Sequence, residues 1–113
     1  MATSSPISQH GAAVALVQLL KEFGDLPPLY WQVSNHERYR GDLYGFASLP
    51  DPRPVMAVWA EALGATVTQS QFPYTNDEVY AQFAVETLWR DVRVRIVMSC
   101  PAAVLASETA VAA

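Results

Sequence analysis

His36 and Glu37 stand side by side in the polar run Asn35-His36-Glu37-Arg38-Tyr39-Arg40-Gly41, the one place where this chain offers a ready acid–base pair. An imidazole titrates near neutral pH and a neighbouring carboxylate can orient it, so a small-molecule or hydrolytic site is one reading of residues 35–41. Loops carry such sites because a rigid scaffold can present them. The competing reading is a solvated connection whose charges pair locally. No Ser-His-Asp order, nucleophile elbow or phosphate-cradling glycine loop accompanies the pair, so no catalytic residue is assigned.

The metal-ligand inventory is similarly thin. His10 falls near a helix start, His36 in the polar run and Cys100 at a strand end, with no two at a ligating spacing. Neither metal nor cofactor is expected. Cys100 is the only cysteine, so an internal disulfide is impossible and a reducing, cytoplasmic setting is the simplest expectation.

Two further motifs suggest binding rather than catalysis. Pro27-Pro28-Leu29-Tyr30 spells PPxY, a segment that can dock as a polyproline II helix. Leu29, Trp31 and Val33 alternate straight out of it, however, which makes Tyr30 part of a strand and the prolines its punctuation. Arg90, Arg93 and Arg95 bring three cations near one hairpin; Glu86 and Asp91 lie close enough in sequence to neutralise them.

The elements that must position these residues follow from periodicity. A chain of 113 residues, 51% hydrophobic and 16% charged, fits one ordinary domain. The formal charge of −4 disfavours nucleic acid as a partner. No apolar run approaches the roughly 20 residues needed to span a bilayer, so no membrane partner is expected. Residues 1–7 read as a flexible N-terminus, 8–100 as a single domain, and 101–113 as an alanine-rich, weakly ordered tail.

A helix is predicted over 8–23, with Leu16, Leu19, Leu20 and Phe23 on one stripe, Ala12 and Ala13 extending it, and Gly24 as its left-handed stop. Strands follow at 29–34 and 42–49. A second helix begins at Asp51-Pro52, carries Val55, Val58, Trp59 and Ala62 on its stripe, and closes at Gly64. Residues 65–74 read as an edge strand limited by Pro73. The clearest alternations come last. Val79, Ala81, Phe83 and Val85 share one face of their strand, as do Val92, Val94, Ile96, Met98 and Cys100 of the next. A turn at Trp89-Arg90 would set Glu86 opposite Arg93. The order α-β-β-α-β-β-β predicts an α+β two-layer sandwich, with two helices on one face of a mainly antiparallel sheet.

The face away from the helices would then carry Tyr30, Gln32, Tyr44, Phe46, Tyr80, Arg93 and Arg95. Rigid rings and arginines among small polar groups match interface composition. The leading expectation is a non-catalytic protein-binding or regulatory module, a homo-oligomer joined through this face or an edge strand. Single-stranded nucleic acid, stacking on the same rings, is the alternative. The segments LPPLYWQV and WAEALGATV and the final alternating strand resemble small α+β proteins of actinobacteria and their phages, over most of residues 16–100. That resemblance implies no particular activity.

Overall fold

The computed structural model describes residues 9–34 and 42–105; His36 and Glu37, with the rest of 35–41, lie outside the described residues. Helix α1 spans Gln9–Glu22, β1 Tyr30–Val33, β2 Leu43–Phe46, α2 Arg53–Leu63, β3 Thr68–Thr75, β4 Glu78–Trp89 and β5 Val92–Pro101. A third, one-turn helix follows at 102–105, where Val104 and Leu105 pack against the core.

The chain is α+β, with one mixed sheet in the order β1-β2-β5-β4-β3. Three of the four pairings are antiparallel, while β2 and β5 run parallel at the centre. Strand alternation sends Leu43, Ala81, Phe83, Val85, Val94, Ile96, Met98 and Cys100 to the side where α1 and α2 lie, and all are buried there. Among the described residues no helix is long and apolar enough to cross a membrane.

The helices keep much of each expected stripe, since Ala12, Leu19 and Trp59 are buried and Leu16, Phe23 and Val55 pack against the core, but each is rotated away from part of it. From α1 the sheet takes Ala12, Ala15 and Leu19, while Leu20 is 48% exposed and Ala13 is exposed too. Small side chains let the helix approach the sheet closely, which favours an alanine stripe over the bulkier alternative. From α2 the buried set is Met56, Trp59 and Ala60, and Val58 turns outward at 39% exposure. Val79, expected in the core, is 46% exposed near the outer end of β4.

The helix ends differ as well. Gly64 terminates α2 in the left-handed conformation, φ 67°, where a Cβ would be strained. Gly24 has no positive φ. There α1 stops through a turn in which the Leu26 N–H donates to the Phe23 carbonyl, and Pro27-Pro28 prevent continuation. Pro52 rather than Asp51 occupies the N-cap of α2, yet the Asp51 carboxylate still accepts the Arg53 N–H at 3.1 Å.

An aromatic train binds the layers together. Trp31 meets Trp59 edge-on at 5.6 Å, Trp59 meets Phe23 at 6.0 Å, and Phe23 meets Trp89 at 6.0 Å. The Trp59 indole N–H donates to the Pro27 carbonyl at 2.9 Å, so the prolines of PPxY are pinned to α2. Gly45 makes room for this packing: a Cβ there would stand 2.9 Å from Trp31 Cζ3 and 3.2 Å from Leu29 Cδ1. Gly45→Ala is accordingly expected to destabilise the fold by about 1–3 kcal/mol through overpacking. Chemical denaturation measures it, and an unchanged midpoint would show that Trp31 is not confined.

Candidate functional site

The sheet side opposite α1 and α2 carries all seven residues singled out from the sequence. Register explains why: each sits one residue out of phase with a neighbour that is buried or packed against the core. Gln32 lies opposite Tyr44, Tyr44 beside Arg95, and Arg95 opposite Glu86, one row across β1, β2, β5 and β4. Tyr30 lies opposite Phe46, and Tyr80 occupies the row of Pro101 and Phe72.

The turn between β4 and β5 corrects the expected pairing. Its loop residues are Arg90 and Asp91, with φ of 52° and 68°, so Trp89 pairs with Val92. Positive φ at both loop positions gives the hairpin twist of a primed turn, normally supplied by Asn or Gly. The register moves by two residues, every side chain keeps its face, and Glu86 stands opposite Arg95 instead of Arg93. The Arg95 Nε–Glu86 Oε2 distance is 2.8 Å. Arg90 leaves the expected arginine group altogether. Its guanidinium reaches Gln18 and Glu22 of α1 and lies 4.4 Å from the centre of the Trp89 ring, on the helix side.

The rings of the open face gather into two clusters. Tyr30 stacks on Phe46 at 5.6 Å, Tyr44 lies 5.4 Å from Phe46, and the Arg95 guanidinium sits 5.5 Å over Tyr44. At the other end Tyr80 is flanked by Tyr74 at 4.3 Å and Phe72 at 6.1 Å. Tyr30 is 68% exposed. Between the clusters run the rows Val97–Ala84–Thr68 and Ser99–Gln82–Ser70, in which only Gln82 has a long side chain. Two adjoining hollows, of about 610 and about 320 Å³, share Gln82, Arg95 and Val97 and form a trough across this strip.

Phe72 and Tyr74 were not singled out from the sequence. Their alternation with Tyr80 becomes visible only once β3 is placed beside β4. Asp42 was missed for another reason, since it reads as an ordinary strand-flanking residue. It is 8% exposed, its Oδ2 has no hydrogen-bond partner among the described residues, and it lines the smaller hollow with Gln32, Ser34 and Tyr44. Burial pushes its carboxyl above the ordinary carboxylate range, while the charges of Arg93 and Arg95 pull it down and Glu86 adds a smaller push upward.

The consequence for stability has a definite sign. With its folded pKa above the unfolded one, Asp42 binds its proton more tightly in the native state. Its ionisation opposes folding at neutral pH, and the penalty fades as pH falls through the folded value toward the ordinary one. Asp42→Asn is expected to stabilise the protein at pH 7 by on the order of 1 kcal/mol, with the difference shrinking on acidification. Thermal melts across that range test it. A variant that melts lower at pH 7 would contradict it.

The metal candidates are scattered. His10 is exposed on α1, and Cys100 is buried in the core with its thiol pushed up by burial. No group of three His, Cys, Asp or Glu residues is placed to hold an ion among the described residues. The chain matches no protein-family model, no curated protein and no solved structure.

Proposed function

We propose that this chain is a small, non-catalytic protein-binding module of regulatory type that takes up its partner on the open face of a two-layer sandwich. One observation carries the reading: the sheet face opposite α1 and α2 holds two aromatic clusters and a polar trough, with Tyr44 of the first cluster lining the trough. A wet sheet face with no role needs no such rings. Exposed and half-buried rings on the same face as a polar trough suit a polypeptide segment, with the rings supplying area at little entropic cost.

The nucleic-acid reading would use Tyr30, Tyr44 and Phe46 as stacking platforms and Arg93 and Arg95 for phosphates. The net charge of −4 and the Arg95–Glu86 pair weigh toward protein instead. A reducing, cytoplasmic location fits the single buried thiol. Self-association belongs to the same proposal, with the open face and the β3 edge as its two possible surfaces. The test is capture from lysate of the native host by wild type and by Tyr44→Ala/Phe46→Ala side by side. A polypeptide held by the first and lost from the second supports the reading, and equal retention by both removes it.

A further inference from the structure

We propose that two copies of this chain pair antiparallel along β3, about a two-fold axis at Ser70. This goes beyond the open-face reading, because the edge of the sheet is a different surface and leaves the face free for its partner.

Among the described residues β3 is the last strand of the sheet, with β4 as its one neighbour. An edge strand presents a row of backbone donors and acceptors that another strand can complete, and proteins normally blunt it with brevity, charge, proline or a bulge. The opposite edge follows this rule, since β1 has only four residues. β3 does not. It has eight, Thr-Gln-Ser-Gln-Phe-Pro-Tyr-Thr, none of them charged and all but Phe72 exposed. Its two faces are equally bare: Gln69 and Gln71, on the helix side of the sheet, are as exposed as Thr68 and Ser70 on the open side.

The blunting devices β3 does have lie at one end. Pro73 removes a donor, and the register breaks between Pro73 and Thr75. They leave the window Thr68–Phe72, and Ser70 is its centre. Antiparallel pairing about Ser70 sets Gln69 opposite Gln71 of the second copy and Thr68 opposite Phe72. The same contacts then repeat through the two-fold axis, as an isologous interface requires. A charged strand laid against itself would repel, whereas this one has no charge to repel. The second copy is therefore the occupant whose chemistry fits. Pairing would join the two sheets edge to edge and bring the Phe72–Tyr80–Tyr74 clusters of both copies near the axis.

Gln69→Lys/Gln71→Lys tests the geometry, because it sets lysine opposite lysine twice across the axis at exposed positions. In sedimentation equilibrium at high micromolar concentration the wild type is expected to be a dimer, and the lysine variant to dissociate with a Kd raised about tenfold or more. Mixing it with Gln69→Glu/Gln71→Glu should restore a heterodimer, which shows that loss of pairing was not loss of folding. Tyr44→Ala/Phe46→Ala should leave the dimer intact, which separates this interface from the open face. A monomeric wild type overturns the proposal, as does a dimer indifferent to the lysines or a failure of the Lys and Glu variants to pair.

Discussion

Trp59→Ala is expected to cost about 3–5 kcal/mol, the range for truncating a large buried aromatic. A domain of this size has roughly 5–15 kcal/mol in total, so the variant will be marginal or unfolded near body temperature. Trp59 is 2% exposed and stands where three parts of the chain meet. Its ring contacts Trp31 of β1 and Phe23 at the end of α1, and its N–H holds the Pro27 carbonyl. Edge-on ring pairs add about 0.5–1.5 kcal/mol each beyond the area they bury, so the loss extends past the cavity itself. Trp59→Phe separates the contributions. It keeps most of the ring and leaves the Pro27 carbonyl without its donor, at a cost of about 1–2 kcal/mol. Urea denaturation resolves the two variants. Equal, small losses from both would show that the segment 26–29 is held by something other than Trp59.

That segment shows how far the sequence could be read. Alternation after Pro28 identified Trp31 as inward and Tyr30 as outward, because a period of two leaves little choice once one face is buried. The same reasoning gives the observed sheet face for each residue singled out on β1, β2, β4 and β5. It even survived an error in the hairpin, since a shift of two residues preserves the faces while changing the partners. The true turn, Arg90-Asp91, was hidden because neither residue announces a positive φ, and Arg90 is held from a distance by Gln18 and Glu22.

Helix faces were less legible. In α1 alanine, valine and leucine are spread around the axis, so the apolar pattern defines no single arc. The choice of Ala12, Ala15 and Leu19 is made by close packing against a sheet whose strand order local sequence does not contain. The parallel contact of β2 with β5 is likewise a long-range fact, joining residues some fifty positions apart. The β3–β4 register is local to one hairpin but shifted by an irregularity between Pro73 and Thr75, and without it the second aromatic cluster cannot be seen. Asp42 gave no signal because its burial depends on what surrounds it in space.

The open face carries the functional proposal, and Tyr44 and Phe46 are its most exacting test. Both are half-buried and lie outside the core, so replacing them by alanine should leave the fold cooperative and its melting temperature only modestly lowered. Their loss would remove one aromatic cluster, with Tyr30 deprived of its stacking partner and Arg95 of the ring beneath it. Anchor residues of this kind typically contribute 2 kcal/mol or more each, so affinity should fall at least about a hundredfold. The decisive measurement is the affinity of the captured partner for purified wild type and for Tyr44→Ala/Phe46→Ala, with both shown by melting to be folded. The open-face account expects tight binding by the first and a drop of at least that size in the second. Equal affinities would place the binding surface elsewhere on the molecule.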